Sequence, residues 1–87
     1  MHIRNQQRNG RKSLTIIEGL PDDLDLQKIL KVMRKMYSTN GTILKSEESG
    51  EVLQLNGDRR WDAHDFLTKY NICEKSELKV HGAGRNP

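Results

Sequence analysis

A two-layer α/β sandwich of the α+β type is the fold this sequence predicts: a five-stranded mixed sheet with two helices on one of its faces. Three observations predict it. Short β-branched or alternating stretches recur at residues 2–7, 12–19, 42–46, 51–55 and 77–82. Two longer stretches, 26–37 and 59–71, place apolar residues at helical spacing instead. Their order, β-β-α-β-β-α-β, sets hairpins between helices that must cover the same sheet.

The first strand, "HIRNQQ" (2–7), has Ile3 as its one apolar residue and depends on its partner. That partner, "KSLTIIEG" (12–19), is rich in β-branched residues, with Leu14 and Ile16 on one face. Asn9-Gly10 between them is a two-residue hairpin turn. "GLPDDLD" (19–25) then leads into a helix. Asp25 serves as its N-cap, and Leu24 can staple onto Ile29. Leu26, Ile29, Leu30, Met33 and Tyr37 form the buried stripe of this helix, and Gly41 is expected to supply the left-handed turn after it.

"TILKS" and "EVLQL" read as a second hairpin about the acidic "EESG" loop (47–50). Asp58 is expected to cap the second helix, whose buried face would hold Ala63, Phe66, Leu67 and Tyr70. Trp61 falls nearly opposite that stripe and is expected to stand exposed. "ELKVHG" (77–82) closes the sheet as a half-buried strand. Residues 1–82 make one domain, and "AGRNP" (83–87) is expected to be a loose tail.

The chain has 87 residues, 33% hydrophobic and 31% charged, enough for one small core. No apolar run exceeds two residues, so neither a membrane-spanning helix nor a signal-peptide core is encoded. The single Cys73 cannot form an internal disulfide and fits a reducing compartment. A soluble, cytoplasmic, monomeric protein is the expectation.

Charge is unevenly spread. Residues 1–45 hold nine Lys/Arg and four Asp/Glu, a balance of +5; residues 46–87 hold six and eight, a balance of −2. Arg8, Arg11 and Lys12 surround the Asn9-Gly10 turn, and Lys28, Lys31, Arg34 and Lys35 share a helix face away from the buried stripe. One such helix face is ordinarily a solvated surface. A basic hairpin tip beside it points to a polyanion.

Catalysis finds little support. His2, His64 and His81 are scattered, and "DAHD" (62–65) does not converge as metal ligands do. No serine or cysteine has a recognisable base, and there is no glycine-rich phosphate loop. Neither a metal nor another cofactor is expected. RNA binding fits better, through backbone and shape, because Tyr37, Phe66 and Tyr70 read as core and leave no aromatic platform for stacking bases. Trp61 offers a third possibility, a protein contact, weighed evenly against its packing onto a neighbouring loop.

The stretches "IRNQQRNGRKSLTIIEGLPDDLDLQKILKVMRKMYSTNGTI", "GEVLQLNGD" and "LKVHG" closely resemble the eukaryotic translation initiation factor 1 family, in order and spacing, from about Ile3 to Gly82. The resemblance implies a factor that binds the small ribosomal subunit near the P site. Such a factor promotes scanning, opposes initiator tRNA at codons other than AUG, and leaves when AUG is recognised. By position, Arg8, Asn9, Gly10, Arg11 and Lys12 match the first hairpin loop, which reaches toward ribosomal RNA and the P-site codon. Lys28, Lys31, Arg34 and Lys35 match a helix lying on ribosomal RNA. Ser46, Glu47, Glu48, Ser49 and Gly50 match a loop facing initiator tRNA, where negative charge would obstruct a polyanion. The implied partners are small-subunit RNA, nearby initiator tRNA and mRNA, and other initiation factors, with no membrane.

Three departures stand out. The family usually carries an acidic, unstructured N-terminal tail, whereas Met1 here precedes the first strand directly, which leaves contacts made by such a tail open. Trp61 occupies a position where Lys is usual, within the divergent "RRWDAHDF". "AGRNP" runs past the usual ending. Two alternatives share the same residues: a related-domain factor used in reinitiation or recycling, and a decoy that binds the subunit with a protein partner at the second helix.

Overall fold

The computed structural model describes residues 1–9, 12–21, 23–48 and 50–82, and the side chains of these residues apart from 7–9 and 12. The elements run β1 (His2–Asn9), β2 (Lys12–Glu18), α1 (Leu26–Tyr37), β3 (Gly41–Ser46), β4 (Gly50–Asn56), α2 (Arg60–Lys69), a 3-10 turn (Lys75–Glu77) and β5 (Lys79–Val80). The sheet order is β3-β4-β2-β1-β5. Only the β1–β5 pairing is parallel among the described pairings, so the sheet is mixed, as the sequence predicts.

Register explains the core. Ile43, Leu53, Ile17, Ile3 and Val80 lie in one row across all five strands. Neighbouring side chains in such a row point to the same face. Leu26, Ile29, Leu30 and Met33 of α1 and Ala63, Phe66 and Leu67 of α2 join that row in a single cluster. Ile3, Ile17, Met33, Leu53, Leu55 and Leu67 are fully buried, each contributing about 1.5–3 kcal/mol by leaving water. The helix-facing side of β2 is therefore Thr15 and Ile17, while Leu14 and Ile16 lie on the other face, half-buried.

Helix α1 begins as expected: the Asp25 carboxylate accepts a hydrogen bond from the Lys28 amide at 3.2 Å. Its end differs from expectation. Ser38, at φ 50°, is the left-handed residue, and its amide donates to the Arg34 carbonyl. Gly41 already belongs to β3, and its lack of a side chain serves close approach. A Cβ there would meet the Gln54 carbonyl oxygen at 2.6 Å and Leu30 Cδ1 and Leu55 Cδ2 at 2.9 Å.

Helix α2 is shorter than the 59–71 predicted, and Asp58 does not occupy its N-cap position. The N-cap position is Arg59, without a side-chain capping bond. The Asp58 carboxylate accepts from the Arg60 amide at 3.4 Å and is held more closely by the Arg60 guanidinium, with Nε 2.8 Å from Oδ1 and Nη2 2.7 Å from Oδ2. Tyr70, predicted in the core, is 48% exposed because the helix stops at Lys69 and the chain turns. Tyr37 is half-buried rather than buried. The last strand contracts to Lys79–Val80, since residues 75–77 form the 3-10 turn. The expected tail, 83–87, lies outside the described residues.

Candidate nucleic-acid interface

The basic face of α1 is built by helical geometry. Steps of 100° put Lys28, Lys31, Arg34 and Lys35 within about 120° of arc, turned away from the buried stripe. All four are exposed. The described ion pairs are Arg4–Glu18, Arg59–Asp62, Arg60–Asp58 and His64–Asp65, and none of the four cations of α1 takes part in them. Two shallow depressions adjoin on this surface. One is lined by Lys31, Arg34, Lys35, Ser38, Thr39 and Asn40, the other by Asp25, Gln27, Lys28, Leu30, Lys31 and Arg34. Arg34 and Lys31 belong to both, so the surface is a continuous cationic trough.

The trough ends beside the first hairpin. Buried Thr39 ties the end of α1 to β4: its hydroxyl donates to the Asn56 carbonyl at 3.0 Å, and the Asn56 amide donates to the Asn40 carbonyl at 2.9 Å. Asn56 pairs in turn with Leu14 of β2, two residues from Lys12, where β2 begins. The C-terminal end of α1 and the β1–β2 turn therefore sit at one end of the sheet. Gly10 and Arg11 lie outside the described residues, as do the side chains of Arg8, Asn9 and Lys12; the backbone pairs Asn9 with Lys12 as the last pair of the hairpin, so Asn9 belongs to β1 and not, as expected, to the turn.

The acidic loop lies at the other end. Ser46 pairs with Gly50 across β3 and β4, and Glu47 and Glu48 between them are exposed. The Glu48 amide donates to Ser46 Oγ at 3.3 Å. Ser49 lies outside the described residues. Among the described residues, Arg34 and Lys35 thus stand toward the sheet end where β1 and β2 turn, and Glu47 and Glu48 toward the end where β3 and β4 turn.

Trp61, expected to be exposed, is half-buried, with its indole Nε1 buried and its ring set edge-on to His64 at 5.0 Å between centroids. His64, one helical turn on, leans its ring back against it, a contact between side chains that a wheel of Cα positions does not show. Two residues that anchor α2 on the sheet escaped sequence reasoning. The fully buried Thr15 hydroxyl accepts from the Arg59 amide and donates to the Gly57 carbonyl, both at 2.7 Å, fixing the β4–α2 turn against β2. Arg60 spans Asp58 and the His81 carbonyl, the latter at 2.9 Å. The Arg60 hydrogen bonds hold the Asp58 carboxyl down at about 2. The i, i+2 acid–base pair was visible in sequence; the partner carbonyl was not.

Among the described residues no three His, Cys, Asp or Glu side chains gather as metal ligands. Cys73 is buried, and desolvation pushes its thiol up, away from a reactive thiolate. Among the described residues no helix is long and apolar enough to cross a membrane.

Residues 1–73 match the family model described as translation initiation factor SUI1. The chain is 48% identical over 82 residues to the protein translation factor SUI1 of Eremothecium gossypii, spanning 94% of this chain and 76% of that protein. It is 46% identical over the same length to Saccharomyces cerevisiae eukaryotic translation initiation factor eIF-1 and to Homo sapiens eukaryotic translation initiation factor 1, spanning 76% and 73% of them. Among solved structures, the C-terminal domain of human eIF2D superposes with a TM-score of 0.70 at 17% identity, over 93% of this chain and 41% of that one, a likeness of fold.

Proposed function

The chain belongs to the SUI1 family of translation initiation factors, and from that premise we propose that it binds the small ribosomal subunit near the P site and guards start-codon choice. A role in translation initiation follows from the family, which is not enzymatic. In the finer reading, Lys28, Lys31, Arg34 and Lys35 lie on ribosomal RNA, and the hairpin of Arg8, Asn9, Gly10, Arg11 and Lys12 reaches in beside them. The loop from Ser46 to Gly50 faces initiator tRNA and resists its settling at codons other than AUG. The protein then works in the cytoplasm among other initiation factors.

The observation that carries this reading is the separation of charge along the sheet. A trough of four cations ends at the same sheet end as the basic hairpin, and two exposed glutamates stand at the other end. Such a molecule has one side for RNA phosphates and one that repels them.

The test is binding of the labelled protein to purified small subunits across a salt series, with free tRNA and duplex RNA as competitors. Salt-sensitive binding that neither competitor displaces is expected. Replacing Lys31, Arg34 and Lys35 by Glu should flatten the log–log salt slope by roughly one for each phosphate no longer neutralised. Equal displacement by any RNA overturns the reading. In a reconstituted initiation assay, Glu47→Lys with Glu48→Lys should raise initiation at non-AUG codons; an unchanged ratio removes the acidic loop from the mechanism.

A further inference from the structure

A second cluster of cationic groups lies on the sheet face turned away from the helices, at the corner where β1 meets β5. His2 and Arg4 alternate along β1 onto that face. Glu18 of β2 and Lys79 of β5 both pair with His2, and His81 returns to the same face one residue beyond Val80. His2 Nδ1 lies 2.9 Å from His81 Nε2, with the rings 5.1 Å apart, and Arg4 Nε lies 3.1 Å from Glu18 Oε1. Desolvation, then the charges of Arg4, His2 and Lys79, hold the His81 imidazole below its ordinary range, while Glu18 acts the other way.

Two imidazole nitrogens 2.9 Å apart share one proton, one ring donating and the other accepting. A second proton would set two donors face to face. The arrangement is relieved if an anionic oxygen enters between them and accepts from both. A metal ion is a poorer occupant: Glu18 is engaged by Arg4, no third ligand joins the two histidines among the described residues, and Arg4 and Lys79 oppose a cation.

We propose that His2, His81, Arg4 and Lys79 form a binding site for a phosphate of an RNA backbone, which takes up a proton at the histidine pair as it binds. A backbone suits the site better than an isolated anion because β1 and β2 lead from this corner to the hairpin bearing Arg8, Arg11 and Lys12. At about 3.3 Å per residue that hairpin lies roughly 23 Å away, a span that a polymer covers and a single ion does not. The site lies on a different face from the α1 trough and does not depend on it.

Sulfate, whose charge stays constant across the range, and a short uridine oligomer are the probes. Their binding is followed by the imidazole resonances of His2 and His81 at about pH 6 and about pH 8. Both probes should move both sets of resonances and bind about tenfold tighter at the lower pH. Lys79→Gln should weaken both probes while leaving the pair and the fold in place, and His2→Gln with His81→Gln should abolish the pH dependence. Arg34→Glu, which tests the α1 trough, should leave the sulfate result unchanged. Unmoved imidazole resonances overturn the proposal, as does a response to sulfate that the oligomer does not reproduce.

Discussion

The two helices cover the same sheet, yet they are held by different means. Helix α1 carries its instructions locally: a capping aspartate, a four-residue buried stripe and a left-handed serine at its end. Helix α2 has no side-chain cap at Arg59 and only three buried residues. Its start is fixed from far along the chain, by Thr15 of β2 and by the bond from Arg60 to the carbonyl of His81. One helix presents a cationic face on a locally specified rod; the other is an adapter whose position depends on the rest of the sheet.

The largest expected effect lies under α1. Gly41→Ala should destabilise the protein by about 2–3 kcal/mol in urea unfolding, because the new Cβ must displace the backbone carbonyl of Gln54 as well as two leucine side chains. A change within error would mean that the β3 edge moves freely and that α1 does not rest on it as described.

Thr15→Val tests the anchor of α2. The shapes are nearly equal and the site is fully buried, but the Gly57 carbonyl and the Arg59 amide are each left without their hydrogen-bond partner. The cost should be about 2 kcal/mol, with faster amide exchange at Arg59 and little change within α1. Thr15→Ser, which keeps the hydroxyl, should recover most of it. Equal exchange changes in both helices would erase the contrast between them.

These anchors mark the boundary of what the sequence could reveal. The cap, stripe and basic face of α1 follow from spacing along a single helix, so they were legible residue by residue. Gly41 was seen as special, but for conformation; its role is proximity to β4, which becomes visible only once strands are paired. Thr15 reads as an ordinary polar strand residue because both its partners lie more than forty positions away. Tyr70 keeps helical phase with Phe66 and Leu67, yet the helix ends one residue too early to bury it. The basic trough was legible as a face, whereas its meeting with the β1–β2 turn at one sheet end required the register of β2, β4 and β3.

Asp25→Ala measures how local α1 is. Loss of the bond to the Lys28 amide should cost about 1 kcal/mol, with exchange faster in the first turn of α1 and α2 unaffected. A loss spread over both helices would show that α1, too, is specified by the whole sheet.

The smallest effect separates the two helices by pH. Asp58 is held at about 2 chiefly by its hydrogen bonds to Arg60. The folded state therefore binds fewer protons at this group than the unfolded chain does. Its contribution is complete above the ordinary carboxylate range and is lost as pH falls from about 4 toward 2. The carboxylate is half exposed, so solvent screening keeps the contribution below about 1 kcal/mol. Asp58→Asn should accordingly leave stability near neutral pH almost unchanged and make the acid side of the stability profile shallower. The freed Arg60 should still reach the His81 carbonyl, so the α2–β5 contact persists in the variant. If instead Asp58→Asn loosens β5 at neutral pH, with faster exchange at His81, the carboxylate is what aims Arg60, and the adapter helix depends on an ion pair rather than on the buried threonine.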